Sequence, residues 1–357
     1  MSANFDAAVL IGRFQPFHKG HAALLKQALE IADRALIVLG SAYRSRNAKN
    51  PFTWEERAAM IAATLDEGND GDARRVVFIP VRDYYDDGRW SAAVAREVRK
   101  TLEKTGIAHP HPRIALTGFH KDDSSYYLKL FPQWSFIASA QQGDIDATAI
   151  RQIYFGESTE TTEATETESE SALQNLVPPA VARILTDWAA QPAFAAMREE
   201  HRAIEAYKKK WGAGPFVTLD AVVTMAEPRH VLLVRRGNTP GKGLWAIPGG
   251  FLEGRERLLQ GAIRELKEET GLGIADATLT EALREVAVFD HPDRSQRGRI
   301  ITHAHWFDLS RTSLPPVAGA DDAAEARWFP VAALPGMEAE LFGDHFAILN
   351  RFLALYA

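Results

Sequence analysis

Ala7-Ala8-Val9-Leu10-Ile11-Gly12-Arg13-Phe14-Gln15-Pro16-Phe17-His18-Lys19-Gly20-His21 decides the fold of the first half of the chain. Its apolar opening runs to Phe14 through Gly-Arg and reads as a buried strand. A helical pattern follows over about Lys19–Asp33, then a second apolar run over Ala35–Leu39. Strand, helix and strand in that order predict a βαβ unit with parallel strands. Apolar runs at Val76–Val81, Ile114–Thr117 and Phe136–Ala138 supply later strands. Helical stretches near Thr53–Leu65 and Ser91–Lys104 separate the first of these. The class is α/β, with an open parallel sheet at the N-terminal end.

Beyond that sheet the texture changes twice. Residues 157–171, ESTETTEATETESES, carry one sign of charge and almost no apolar side chain, so they predict a solvated flexible loop. Apolar residues then return at helical spacing (Val181, Ile184, Leu185, Trp188), followed by a polar helix ending in Tyr207-Lys208-Lys209-Lys210. These helices predict a first domain over 1–190, a connecting helix over 191–212 and a second domain over 213–357. In the second domain, β runs at Phe216–Thr224 and His230–Val234 precede one strong helix, Arg257–Thr270. Further β runs follow at Leu283–Phe289, Ile300–Asp308 and Ala326–Phe329, and a last helix over about Gly343–Tyr356. That is the pattern of a mixed α/β/α sandwich.

The 357 residues suffice for two ordinary domains, and 46% hydrophobic with 25% charged residues is ordinary for a globular chain. No cysteine is present, which excludes a disulfide framework, thiolate metal sites and a cysteine nucleophile and fits a reducing cytoplasm. The N-terminus lacks the basic and long apolar regions of a signal peptide. No run approaches the roughly 18 apolar residues of a membrane span. A net charge of −6 argues against nonspecific nucleic-acid binding. The expectation is therefore a cytoplasmic protein with small-molecule partners, no nucleic acid and no membrane, and compatible with a homo-oligomer.

In an open parallel sheet, the handover from first strand to first helix is the usual ligand crevice. Free backbone N–H groups at the helix start favour an anion there. His18 and His21, three apart on the first turn, can both face it and donate to phosphate oxygens while staying neutral. The plain alternative is a pair of histidines that only caps a helix. Gly20, which admits close approach, and Gly12-Arg13 at the strand end argue for the ligand.

This stretch resembles the H-x-G-H nucleotidyltransferase superfamily, and GRFQPFHKGH is similar to archaeal-type nicotinamide mononucleotide (NMN) adenylyltransferases. Residues 41–53, SAYRSRNAKNPFT, 81–87, VRDYYDD, with Trp90, and 118–128, GFHKDDSSYYL, resemble further segments of that family. The superfamily's I-S-S-T-x-x-R motif stands here as Ile145-Asp146-Ala147-Thr148-Ala149-Ile150-Arg151, with Thr148 and Arg151 kept and both serines replaced. The resemblance implies a Rossmann-like fold and attack of the NMN phosphate on the α-phosphorus of ATP. It also implies a nucleotide site at Gly12, Arg13, Phe14, Gln15 and Lys121. His18 and His21, helped by Arg46, Thr148 and Arg151, would contact the ATP phosphates, with Mg²⁺ on the leaving pyrophosphate. Asp83 and Trp90 would line the nicotinamide pocket.

The second decisive stretch is Gly250-Phe251-Leu252-Glu253-Gly254-Arg255-Glu256, seven residues, then Arg264-Glu265-Leu266-Lys267-Glu268-Glu269-Thr270-Gly271-Leu272. Glu265, Glu268 and Glu269 stand at i, i+3 and i+4, so three carboxylates leave one helical face. Their repulsion is relieved by a hard divalent cation, Mg²⁺ or alternatively Mn²⁺. Gly271 suits the helix C-cap, and Gly249-Gly250 allows backbone to approach metal or phosphate.

The spacing matches the Nudix box at every specified position. That resemblance implies a metal-dependent pyrophosphohydrolase with Glu268 and Glu269 as main ligands, Glu265 and Glu256 contributing, and Arg264 orienting a glutamate. The general base is a box glutamate or one outside it, with Glu325 as the outside candidate. Arg235, Arg236, Trp245, Gly249, Gly250, Arg297 and Arg299 resemble the substrate-contacting surroundings in Nudix domains that take ADP-ribose or related NAD metabolites. An ordinary polar hairpin turn is the alternative for 293–299. His303 and His305, alternating on a strand, are left out of the site.

The order of the modules resembles bifunctional NMN adenylyltransferase/ADP-ribose pyrophosphatases. It implies synthesis of NAD and pyrophosphate from ATP and NMN in one half, and hydrolysis of ADP-ribose to AMP and ribose 5-phosphate in the other. The alternatives are a Nudix half acting on NADH, Ap4A or a nucleotide sugar, or one that only senses a nucleotide.

Overall fold

The computed structural model describes residues 4–68, 71–107, 109–119, 123–139, 145–156, 171–225, 229–309 and 313–356. Lys121 and residues 157–170 of the acidic segment lie outside them. Two compact units emerge, Met1–Arg198 and Glu199–Ala357.

In the first unit β1 (Ala7–Gly12), β2 (Ala35–Leu39), β3 (Val76–Pro80), β4 (Ile114–Gly118) and β5 (Ser135–Ala138) form an all-parallel sheet ordered β3-β2-β1-β4-β5. Its helices are α1 (Lys19–Ile31), α2 (Trp54–Gly68), α3 (Asp87–Lys104), α4 (Ala147–Phe155) and α5 (Pro179–Ala189). Strands covered on both faces read as unbroken apolar runs, and β2 is buried at every residue. Alternation still sorts the side chains. Ala8, Leu10, Ile37 and Leu39 pack with residues of α1, α2 and α5, whereas Ala7, Val9, Leu36 and Val38 pack with Val94, Val98 and Leu102 of α3. Burying each such Leu, Ile or Val contributes about 1.5–3 kcal/mol. Strand order reverses between β1 and β4, so the carboxyl end of β1 is the crevice of this sheet.

The division between units falls inside α6 (Pro192–Trp211). The second unit contains β6 (Phe216–Met225), β7 (His230–Arg236), β8 (Trp245–Ala246), β9 (Gly249–Phe251), α7 (Leu258–Thr270), α8 (Asp276–Ala282), β10 (Leu283–Phe289), β11 (Ile300–Leu309), β12 (Ala323–Pro330) and α9 (His345–Leu353). Its sheet runs β10-β11-β6-β7-β12, with β8 on β7 and β9 on β6. β6 and β11 are parallel through ten aligned pairs, Phe216↔Ile300 to Met225↔Leu309, whereas the other pairings are antiparallel. Ala221 and Val223 face Ile263 and Leu266 of α7, and Val222 faces Phe346, Ile348 and Leu349 of α9. The three layers are those expected of an α/β/α sandwich.

Among the strands and α-helices named above, β8, β9 and α8 have no counterpart in the sequence reading. β9 is three residues long and includes two glycines, so no periodicity could announce it. It exists because Thr218, Leu219 and Asp220 of β6 pair with it. Among the described residues no helix is long and apolar enough to cross a membrane.

Candidate active sites

At the carboxyl end of β1, His18 is the N-cap of α1. Its Nδ1 accepts the His21 N–H at 3.4 Å, and His21 Nδ1 accepts the His18 N–H at 3.4 Å. The rings stack with centroids 3.5 Å apart, and Phe14 meets His21 edge-on at 4.8 Å. Both histidines therefore cap the helix, but capping occupies only Nδ1. Each neutral ring then carries its proton on Nε2. Burial, then the neighbouring His18, holds the His21 pKa well below its ordinary value, so the ring is neutral at physiological pH.

Phe14 turns the chain at φ 51°, and its ring lies 3.0 Å from where a side chain on Gly12 would begin, which accounts for glycine there. Gln15 is buried and exchanges two hydrogen bonds with the Phe52 backbone, at 2.8 and 3.0 Å. Its role is to tie the loop rather than to face outward. Arg151 donates to the Gln15 carbonyl at 2.7 Å and to Thr148 Oγ1 at 3.2 Å. Burial and the nearby Arg13 lower its pKa to about 10, which leaves it a full cation at neutral pH. The exposed Arg13, Arg151 and a third arginine thus concentrate positive charge at one strand end.

That third arginine, Arg57 of α2, escaped the sequence reading. It is fully buried, and its guanidinium donates to the carbonyls of Thr53 at 3.1 Å, Arg13 at 2.6 Å and Gly40 at 2.8 Å. Burial lowers its pKa to about 10. The side chain straps together the turns after β1 and β2. On a helix rich in charged residues, nothing in the sequence separates such an arginine from a solvated one.

Other expected residues are placed differently. Arg46 makes a two-pronged pair with Glu56 at 2.6 and 2.9 Å and lies over the Trp188 ring, so its guanidinium braces α2 and α5. The Thr148 N–H is taken by Asp146 Oδ1 at 2.7 Å. The aspartate at the first motif serine is thus the N-cap of α4, and that N–H is not available to phosphate. Asp83 accepts from Ser41 Oγ at 2.8 Å and from Arg44 at 3.2 Å. Trp90 stands edge-on to Tyr127 and Phe131, at 6.0 and 5.7 Å.

In the second unit the carboxylates of α7 meet the glycine strand β9. Arg264 gathers two of them, Glu265 at 2.9 Å and Glu268 at 2.9 Å, together with Glu256 of the preceding loop at 2.8 and 3.0 Å. Glu269, almost buried, accepts the Gly249 N–H at 2.9 Å. Burial raises its pKa to about 8, with Glu265 and Asp220 adding repulsion. Burial also raises Glu265, while the hydrogen bonds from Arg264 lower Glu256. A side chain on Gly250 would begin 2.4 Å from Glu265 Oε1, and one on Gly249 would begin 2.2 Å from the Leu219 carbonyl oxygen and 2.7 Å from Asp220 Oδ1. Glycine is needed at 250 because the strand lies against the Glu265 carboxyl group, and at 249 because it lies against the β6 backbone and Asp220.

Among the described residues no three acidic or histidine side chains form a ready metal-holding group, since Arg264 sits between the glutamates. The donors still fit a hard divalent cation. They are all oxygens, they arise from one helical turn and the loop before it, and burial raises the pKa of two of them, Glu265 and Glu269, a cost that a bound cation would offset.

The flanking residues divide. Arg236 donates to the Pro240 carbonyl at 2.9 Å, lies 4.2 Å from the Phe342 ring centroid and acts electrostatically on Glu269. Arg235 donates to the Gly243 carbonyl at 3.1 Å and stands 4.0 Å from Glu325. Arg299 donates to the Asp290 carbonyl across the base of the β10–β11 hairpin, a structural task. Arg297 lies beside the rings of Tyr207 and Phe251. Trp245 was expected beside the substrate. It is a core residue, 7% exposed, packed edge-on to Phe329 at 4.7 Å, because β8 turns it inward. Asp220 went unnoticed because one carboxylate in a β run carries no spacing signal. It is buried, accepts from Thr302 Oγ1 at 2.6 Å, and has its pKa raised by burial.

Comparison with known proteins adds to this geometry. Residues 9–153 match the cytidylyltransferase-like family and residues 215–352 match the NUDIX domain family. A nicotinamide/nicotinic acid mononucleotide adenylyltransferase of Acinetobacter baylyi is 39% identical over 152 residues, 42% of this chain and 76% of that protein. An ADP-ribose pyrophosphatase of Methanocaldococcus jannaschii is 33% identical over 139 residues, 39% of this chain and 73% of that protein. The crystal structure of a bifunctional NMN adenylyltransferase/ADP ribose pyrophosphatase from Francisella tularensis is alike along 98% of this chain and 99% of that one. Its TM-score is 0.86 and its identity 34%. A second structure of that enzyme, complexed with AMP and a manganese ion, gives a TM-score of 0.84 at 33% identity, with the same coverage. With a nucleotidyltransferase unit and a Nudix unit in the same order over almost the whole length, the chain belongs to the family of bifunctional NMN adenylyltransferase/ADP-ribose pyrophosphatases.

Proposed function

We propose that the module at 1–190 joins ATP and NMN into NAD with release of pyrophosphate. The module at 213–357, linked by 191–212, hydrolyses ADP-ribose to AMP and ribose 5-phosphate. The observation that carries this reading is that a histidine pair on a βαβ crevice and a four-glutamate Nudix centre occur in one chain alike along 98% to a solved bifunctional enzyme.

In the first reaction the NMN phosphate displaces pyrophosphate at the α-phosphorus, so no protein nucleophile is needed. His18 and His21 donate from Nε2 to phosphate oxygens, and Arg13 and Arg151 neutralise charge that grows on the leaving group. Asp83 and Trp90 receive the nicotinamide. In the second reaction, Glu256, Glu265, Glu268 and Glu269 would hold Mg²⁺ or Mn²⁺. Such a cation would supply polarisation of the diphosphate and activation of the attacking water. Arg264 orients the glutamates, and Glu325 or a box glutamate accepts the water's proton. Arg236 and Arg297 receive the diphosphate and the nucleoside that carries it. The setting proposed is the cytoplasm.

The test is to incubate the chain with ADP-ribose and Mg²⁺ and follow AMP by chromatography, with NAD formation from ATP and NMN measured alongside. AMP and NAD are both expected. NAD without AMP would sink the ADP-ribose assignment and turn the search to NADH, Ap4A and nucleotide sugars.

A further inference from the structure

Asp344 and His345, neighbours at the start of α9, hold two segments that flank the carboxylate centre. Asp344 accepts from Arg294 of the β10–β11 loop with both oxygens, Oδ2 from Nε at 2.8 Å and Oδ1 from Nη2 at 3.0 Å. The two side chains are 6% and 5% exposed. His345, also buried, accepts the Ile247 N–H on Nδ1 at 2.9 Å. Burial holds its pKa down to about 3, so the ring stays a neutral acceptor. Ile247 leads through Pro248 to Gly249, whose N–H goes to Glu269, and to Gly250, which abuts Glu265.

An aspartate before a helix ordinarily accepts N–H groups of that helix. The Asp344 side chain makes no such capping bond, so its carboxylate serves Arg294. Stability does not select a buried ion pair, because desolvating both charges offsets their attraction and apolar residues of similar size fold as well. Placement is what the pair supplies. Inside the loop the Arg294 N–H goes to the His291 carbonyl at 3.1 Å and the Arg297 N–H to Ser295 Oγ at 3.2 Å. These local bonds shape the turns without fixing where they lie against the sheet. Arg294 anchors the loop on one side of Arg297, and on the other the Arg299 N–H reaches the Ala213 carbonyl at 2.7 Å. Between these anchors, the Arg297 guanidinium lies 5.4 Å from the Phe251 ring centroid. Among the described residues no acceptor meets its buried Nε.

Resting on the diphosphate chemistry proposed above, we infer that Arg294 and Asp344 are positioning residues of the hydrolase: their ion pair fixes the β10–β11 loop so that Arg297 meets the substrate. Neither side chain touches the substrate itself. The effect falls on binding rather than on the chemical step, because the metal-holding glutamates stand on α7 and the loop before it, outside the segment that the pair anchors.

The experiment uses the full-length chain with Mg²⁺ and ADP-ribose. Removing one partner alone leaves a buried charge unpaired and can unfold the unit. The decisive variant is therefore the double Arg294→Met/Asp344→Leu, which replaces both charges by apolar groups. It is expected to fold, to raise KM about tenfold and to leave kcat within about threefold. Hydrogen exchange across residues 291–299 should quicken by about tenfold or more, with α7 unchanged. Adding Arg297→Met to the double variant should then alter KM by less than about twofold, since that arginine is already misplaced. A merely structural role would lower kcat and leave KM alone. Wild-type KM or wild-type exchange in the double variant overturns the inference. If the double variant does not fold, Arg294→Lys, which keeps the charge and loses the fork, is read by the same two measures and the same criterion. If wild type turns over no ADP-ribose, the functional proposal has failed, and exchange alone decides whether the pair holds the loop.

Discussion

His18 and His21 each accept the other's backbone N–H on Nδ1, at 3.4 Å in both directions, with their rings stacked 3.5 Å apart. A helix cap thereby fixes the tautomer of two candidate catalytic groups at once, and puts the proton of each neutral ring on Nε2.

His21→Ala removes one donor and one half of the cap. The transferase kcat is expected to fall on the order of 10²–10³-fold. Because the His21 pKa lies well below the ordinary value, protonation of this ring occurs only at pH far under 6.5. The wild-type rate should therefore show no inflection near pH 6.5 from His21. A pH–rate profile of NAD formation checks this, and a break at 6.5 that disappears in His21→Ala contradicts it.

Arg57→Met leaves the carbonyls of Arg13 and Gly40 without their buried donor. A loss on the order of 1–3 kcal/mol of unfolding free energy per orphaned group is expected in the first unit. The KM for ATP should rise, since the Gly12–Phe14 turn loses its strap. Chemical denaturation and transferase kinetics read the two effects. Unaltered stability would show that the turns hold without the strap.

Gly250→Ala puts a methyl group 2.4 Å from the Glu265 carboxylate. Overpacking of this kind costs about 1–3 kcal/mol, and the displaced carboxylate should lower ADP-ribose hydrolysis by at least tenfold. NAD formation measured on the same sample should be unchanged. Full hydrolase activity in this variant would mean that the glycine strand yields freely.

Glu269 has a pKa raised to about 8 from 4.5, so without metal it is mostly protonated at neutral pH. A divalent cation must displace that proton. Metal affinity is therefore expected to strengthen as pH rises from 6 and to level off above about 8, which calorimetric Mn²⁺ titrations at several pH values would read. The sign for stability is the opposite. The protonated form favours the folded state, and that contribution is lost as pH rises through 8. Glu269→Gln should thus abolish hydrolysis yet leave the metal-free protein more stable than wild type at pH 8, by on the order of a few kcal/mol. A variant less stable than wild type at that pH would contradict the buried-carboxylate account.

Which features were legible follows from how far their causes lie apart along the chain. Apolar runs at Ala35–Leu39, Val76–Val81 and Ile114–Thr117 announced the parallel sheet, because strands covered on both faces need no polar alternation. The i, i+3, i+4 spacing of Glu265, Glu268 and Glu269 fixed a carboxylate face by helix geometry alone. The histidine pair was equally local, three residues apart on one turn. Tertiary structure decided whatever depends on partners distant in sequence. Arg57 reads as a surface charge until Arg13 and Gly40, each in a turn after its strand, converge on it. Arg46 suited a phosphate until Glu56 took it, and Trp245 suited a substrate until β8 faced it into the core. Glycine at 250 is explained only by a glutamate fifteen residues on, since a Cβ collision is a fact about three-dimensional proximity. The sequence by itself determined the layers and the chemistry-bearing residue types. Packing determined which of those side chains stay available to a ligand, because each buried donor or acceptor must first satisfy its own hydrogen bonds.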